Sequence, residues 1–178
     1  MTGIAMDIST SKPNAPESRS PVYRVVETTS EQAAAIDELL TRATHTIRVF
    51  DVDLSQTGWE RAARAEAIAQ FLLRSRDARV RMIVHDTRHL ESSCARLAAL
   101  LRRFSAAMTI YRTGPEARAA TDPLVIVDDC HFLHRFHCEQ PRAALVLDDA
   151  AQTKPLQSRF EEIWNTGEPG LAGDVLGL

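Results

Sequence analysis

Residues 121–138 read TDPLVIVDDCHFLHRFHC. Leu124 to Val127 is an unbroken apolar, β-branched run, Asp128-Asp129 supplies turn chemistry, and the following residues alternate in polarity, which together predict a hairpin of two strands. Side chains on a strand point alternately to opposite faces. Cys130, Phe132, His134, Phe136 and Cys138 therefore share one side, and His131, Leu133, Arg135 and His137 the other. The stretch is rich in zinc-ligand types, but this alternation splits the histidines. His131 and His137 share a face yet stand roughly 20 Å apart along a strand. No metal site is expected here.

Upstream, Val22 to Glu27 reads as a short edge strand, and Thr29-x-x-Gln32 has the form of a capping box opening a helix with Ala33, Ile36, Leu40 and Ala43 on its packed face. Thr46 to Phe50 is a first buried strand ending in Asp51-Val52-Asp53. Gln56 to Arg74 reads as one long helix with Trp59, Ala65, Ile68, Phe71 and Leu72 inward and Glu60, Arg61, Arg64 and Arg74 outward. Arg79 to Val84 is a second strand, ending at His85-Asp86. Leu90, Cys94, Leu97, Leu101 and Phe104 follow at helical steps, and Asp86-Thr87 stands at the N-cap position. Ala107 to Tyr111 is a third strand, and Thr113 to Ala120 a loop. After the hairpin, Ala143 to Leu147 is a further strand, and a last helix carries Leu156, Phe160, Ile163 and Trp164.

Strands separated by helices predict right-handed parallel crossovers, and short links predict antiparallel neighbours. The expected fold class is α/β: a mixed, mostly parallel sheet with helices on both faces, in the order β-α-β-α-β-α-β, then antiparallel strands and a C-terminal helix. Residues 1–20 have no apolar period and read as a disordered tail, 21–166 as a single domain, and 167–178 as a loose C-terminal tail.

The chain has 178 residues, a formal charge of −3 and 44% apolar residues. That balance fits one soluble domain and gives no strong positive field, so nucleic-acid binding would need a local patch. Arg74, Arg76, Arg79 and Arg81 are interrupted by Asp77 and lack interleaved aromatics. No apolar run spans a bilayer, and three free-thiol cysteines fit a reducing compartment, so the expected location is a cytoplasm. The arginine and alanine bias suggests a bacterial genome. No cofactor is expected. Lys12 and Lys154 are the only lysines, so none lies between them to serve in catalysis.

Two aspartate motifs, IRVFDVDLS and VIVDD, have the shapes of the first and last motifs of haloacid dehalogenase-like phosphatases, but that chemistry also uses a cation, usually lysine, beside the nucleophile. From Thr29 to Trp164 the layout instead resembles one half of a phospholipase D-like domain. That family carries H-x-K-x4-D on a strand, typically H-N-K-F-L-I-V-D-D. LVIVDD aligns with it, placing Asp128 at the aspartate, Thr121 at the histidine and Pro123 at the lysine. The family's G-S-x-N type element is replaced by Arg135-Phe136-His137-Cys138.

The resemblance implies a degenerate branch. The family's histidine attacks phosphorus and its lysine steadies phosphate charge, whereas threonine has no activating base here and proline no charge. The expected function is a catalytically inactive binding or interaction module. The alternatives are an enzyme of altered chemistry on a phosphorylated substrate, or a weak nucleic-acid binder. Active members of the family pair two halves, so a homodimer is an expected partner arrangement, with a phosphate-bearing small molecule as a candidate ligand. The candidate pocket comprises Thr121, Pro123, Asp128, Arg135, Asp51, Asp53 and His85, with Arg135 expected to pair with Asp128, and with Arg135 and Arg112 as candidate anion holders.

Overall fold

The computed structural model describes residues 20–171; most of the tail expected at 1–20, and residues 172–178 of the other, lie outside the described residues. The strands are β1 (Val22–Val26), β2 (Thr46–Asp51), β3 (Arg79–Val84), β4 (Met108–Arg112), β5 (Leu124–Val127), β6 (His131–Arg135), β7 (Ala143–Leu147) and β8 (Glu168–Pro169). The helices are α1 (Thr29–Arg42), α2 (Ala62–Arg74), α3 (Arg88–Ser93), α4 (Ala95–Arg103) and α5 (Ala150–Trp164), with a 3-10 turn at Pro115–Ala117.

All strands join one sheet in the order β1-β7-β6-β5-β2-β3-β4-β8. The sheet is mixed, as the chain pattern predicts, but antiparallel pairs predominate. Among the described residues only β2–β3 and β3–β4 run parallel. The link from β4 to β5 contains a single 3-10 turn, too little chain for a helical crossover, and β5 enters beside β2 in the opposite direction. β6 and β7 extend that antiparallel block. The segment expected to be a loose tail instead supplies β8, paired to β4 through Tyr111 and Arg112.

Alternation along the strands builds two cores. Val49, Val80, Met82, Val84, Val125 and Leu133 face α1, α2, α3 and α4. Phe50, Ile83, Leu124, Ile126, Phe132 and Val146 face α5 through Phe160 and Ile163. Phe132 and Leu133 thus enter opposite cores, as the hairpin pattern predicts.

Local chemistry shifts three helix boundaries. The α1 cap is Thr28, one residue earlier than expected: its Oγ1 accepts from Glu31 N while the Glu31 carboxylate accepts from Thr28 N. The stretch before α2 is not helical, because Leu54 (φ 69°) and Gly58 (φ 78°) occupy left-handed backbone. A Cβ on Gly58 would lie 2.5 Å from Arg61 Nε. The helix expected over 88–104 breaks at Cys94 (φ −102°, ψ 47°), yet Leu90, Cys94, Leu97 and Leu101 all remain buried.

Arg64 corrects the sequence reading most sharply. It is 1% exposed rather than outward. Its Nε donates to Asp37 Oδ1 at 2.9 Å and its Nη2 to Ala33 O at 2.9 Å, while Nη1 donates to Thr57 O. The guanidinium also lies over the Trp59 ring, 5.0 Å from its centroid. Three anchors fasten α2 to α1 and to the turn before it.

Candidate functional site

The carboxyl ends of β2, β3 and β4 and the amino end of β5 share one edge of the sheet, where open α/β sheets place ligands. Phe50 pairs with Leu124, so continuing that register sets Asp51 opposite Pro123. Arg135 N donates to Pro123 O at 2.8 Å and brings Arg135 to the same place. Asp51, Pro123 and Arg135 line a cavity with Gln32, Ile36, Thr57 and Leu133. Its volume is about 20 Å³, room for the centre of one water.

The two charged side chains of this cavity are held. Arg135, 5% exposed, donates from Nε to Gln140 O at 2.6 Å. Asp51 Oδ1 accepts from Val52 N at 2.6 Å. Burial pushes the Asp51 carboxyl up to about 6, with a further push from Asp53, against the opposing pull of the Val52 and Asp53 amides and of Arg135. The buried Thr57 Oγ1 makes no hydrogen bond.

Of the other expected pocket residues, Asp53 caps a turn, its Oδ1 accepting from Ser55 N at 2.9 Å and Ser55 Oγ at 2.7 Å. Thr121 contributes its carbonyl, which accepts from Cys138 N at 2.6 Å. His85 is buried with both ring nitrogens engaged: Nε2 donates to Ala120 O at 2.7 Å, which leaves Nδ1 to accept from Thr113 Oγ1 at 2.6 Å. Its ring meets Phe50 edge-on, centroids 5.2 Å apart. Its ring nitrogens are thereby committed to structure rather than to acid-base work.

Asp128 does not meet Arg135. The two stand at opposite ends of the hairpin, roughly 16 Å apart by strand rise from Pro123 to Asp128. Asp128 (φ 51°) instead anchors the turn to the start of β2: its carboxylate accepts from Thr44 N at 3.0 Å, Thr44 Oγ1 at 2.7 Å, His45 N at 2.8 Å and Thr46 N at 2.9 Å. Burial alone would raise this carboxyl, but those donors outweigh it and hold the pKa below the ordinary value.

The arginine group considered as a nucleic-acid patch is dispersed. Arg74 donates to Ala43 O at 3.3 Å, and Arg79 to Arg76 O at 2.7 Å. Arg81 pairs with Glu161 under α5 and lies over the Phe160 and Trp164 rings.

Sequence alternation also missed a cluster. Cys130, His131 and Asp148 bring candidate ligand atoms within 4.8 Å of one another, because the β6–β7 pairing sets Asp148 beside the start of β6. The ring geometry opposes a metal: His131 Nδ1 accepts from Asp148 N at 2.9 Å, which requires the proton on Nε2. A metal-binding imidazole ordinarily donates through its other nitrogen. Burial and the neighbouring Asp148 also raise the Cys130 thiol pKa, opposing thiolate formation.

A second cleft, of about 290 Å³, opens on the same edge and is lined by His85, Asp86, Thr87, Arg88, Arg112 and Arg118. Arg88 Nε reaches Asp86 Oδ2 at 2.8 Å, and those hydrogen bonds hold the Asp86 carboxyl down at about 2.

A family model described as Domain of unknown function (DUF7931) matches residues 28–172. No curated protein matches the chain. Among solved structures, the chain is similar to TrmBL2, an archaeal chromatin protein whose structure "shows a novel mode of DNA binding", at TM-score 0.62 and 13% identity over 89% of this chain; it spans 56% of that protein. It is similar to Nuc of Salmonella typhimurium, a phospholipase D family member, at TM-score 0.62 and 12% identity over 86% of this chain and 100% of that one. NucT from Helicobacter pylori gives TM-score 0.57 and 13% identity, over 84% and 99%. The shared property is the fold.

Proposed function

We propose that this chain, which belongs to the DUF7931 family, is a phospholipase D-fold domain without phosphodiesterase chemistry that serves as a binding module. The observation that carries this reading is the cavity of about 20 Å³ bounded by Asp51, Pro123 and Arg135. In the alignment with the family motif, Pro123 falls at the phosphate-steadying lysine and Thr121 at the attacking histidine. A phosphodiester needs space for a tetrahedral phosphorus with two substituents and a group that attacks it. Here the space admits about one water. Proline contributes no charge, and among the described residues the Thr121 hydroxyl makes no hydrogen bond to a base that would activate it.

Pro123 is buried, and Arg135 is tied to Gln140 O by its own Nε. Both features favour packed structure over a catalytic opening at this site. Asp128, the surviving motif residue, supports this reading because its carboxylate is occupied by the amides of residues 44–46.

The test is hydrolysis of bis-p-nitrophenyl phosphate by purified chain. The expected result is p-nitrophenolate release no faster than in buffer. Release that follows the protein through successive purification steps overturns the reading.

A further inference from the structure

The cleft formed by His85, Asp86, Thr87, Arg88, Arg112 and Arg118 is separate from the Asp51–Pro123–Arg135 cavity. It lies where β3 and β4, both in the parallel part of the sheet, deliver their carboxyl ends. Three elements contribute its cations: Arg112 ends β4, Arg88 opens α3, and Arg118 follows the 3-10 turn. We infer that this cleft binds a phosphate monoester dianion on a small molecule, held by Arg112 and Arg118.

Charge carries the first step. Arg88 is committed to Asp86, reaching Oδ1 at 3.0 Å and Oδ2 at 2.8 Å through Nε, and that pair cancels. Arg112 has only a loose contact with Glu168, at 3.7 Å between side chains that are 51% and 66% exposed, a pairing worth little in water. Arg118 is exposed and has no hydrogen-bonded or ion-paired side-chain partner among the described residues. Arg118 also attracts Asp86 across the cleft, but neither it nor Arg112 is held by a close hydrogen-bonded carboxylate, so two cations face one cleft in a chain whose formal charge is −3. A dianion matches them in number.

Shape carries the second. The cleft volume of about 290 Å³ sits at the small end of ligand pockets and suits a phosphate with a modest substituent. Each guanidinium offers two parallel N–H donors to phosphate oxygens, a geometry that lysine does not reproduce. The floor is rigid, because His85 is fixed between Thr113 and Ala120.

This inference gives a ligand class to the binding-module reading and rests on it. The test is calorimetric titration of the full chain with inorganic phosphate, adenosine monophosphate and a short oligodeoxythymidine, with phosphate release from the nucleotide followed in the same samples. Phosphate and the monophosphate should bind, Arg118→Ala should weaken them at least tenfold, and Arg118→Lys should recover only part of the loss. Arg96→Ala, on the distant α4 surface, should leave binding unchanged. Absence of binding, equal binding by Arg118→Ala, or binding of the oligonucleotide alone overturns the site and leaves the non-catalytic reading standing. Binding accompanied by phosphate release, a monoester hydrolysis, keeps the site and overturns the binding-module part of that reading.

Discussion

Asp128 and Thr46 are hydrogen-bonded in both directions: Thr46 N donates to Asp128 Oδ1 at 2.9 Å, and Asp128 N donates to Thr46 O at 2.9 Å. This exchange closes the β5–β6 turn onto the start of β2. In sequence Asp128 reads as the last residue of a catalytic motif; in the fold it fastens a turn.

Replacing Asp128 should therefore cost stability. Asp128→Ala leaves several donors at residues 44–46 without their acceptor and puts a Cβ residue without side-chain compensation at φ 51°. The expected loss is about 2–3 kcal/mol in urea denaturation. Asp128→Asn keeps one acceptor oxygen and tolerates that backbone region, so it should lose about half as much. Equal stability of Asp128→Ala and the parent would contradict the anchoring role. Because the pKa of Asp128 is lowered in the fold, its contribution is present above the ordinary aspartate range and is lost as pH falls through the folded value.

Arg64→Ala should unfold more readily still. It removes a buried guanidinium and leaves the Thr57 and Ala33 carbonyls without their donor, a change of about 3–5 kcal/mol for a broken buried pair. Because Asp37 is 48% exposed and regains water on losing its partner, the lower end of that range is expected. A midpoint shift below 0.5 M urea would contradict it, since a domain of this size has a slope of about 1–3 kcal/mol per molar.

Asp51 should make the fold less stable as pH rises through weakly acidic values. Its carboxyl is pushed up to about 6 in the folded chain, whereas the unfolded chain releases that proton near 3.9. Between those values the folded state holds more protons, so this group's contribution is full below the unfolded value and declines up to about pH 6. Asp51→Asn mimics the protonated acid, should remove that decline, and should raise stability at pH 7.5 by on the order of 1 kcal/mol. Thermal melts at pH 4.5 and 7.5 check it; parallel pH dependence in parent and variant would contradict the shift.

What the sequence revealed depended on how local the cause was. The 3.6-residue period placed Leu90, Cys94, Leu97 and Leu101 in the core even though the helix breaks at Cys94, because burial follows the face rather than the unbroken hydrogen-bond ladder. Alternation separated Phe132 from Leu133 correctly. The same rules placed Arg64 outside, because the groups that satisfy it, Asp37, Ala33 and Thr57, come from other segments. Pairing Arg135 with Asp128 treated hairpin neighbours as contacts without counting strand rise. Arg118 sits in an exposed loop and acquires meaning only when the β4–β5 link folds it beside the end of β3. Strand direction was legible in link length, helical links giving the parallel run β2–β3–β4 and short links the antiparallel run β5–β6–β7; only the predominance of antiparallel pairs was not.

Restoring the motif alone should not restore its chemistry. In the double variant Thr121→His with Pro123→Lys, the new ammonium would enter a buried cavity of about 20 Å³ beside the Arg135 guanidinium, where desolvation and like charge both oppose it. The variant should melt at a lower temperature than the parent, by several degrees for each 1 kcal/mol lost. It should also leave bis-p-nitrophenyl phosphate intact, because a nucleophile and a cation without room for the substrate cannot form the in-line arrangement that phosphoryl transfer requires. Hydrolysis by this variant, with the parent inactive, would mean that the opening is accessible and that two side chains alone separate this fold from catalysis. The cavity of about 20 Å³ makes the opposite result the expected one, because Arg135 and Pro123 bound a space that admits about one water and no phosphodiester.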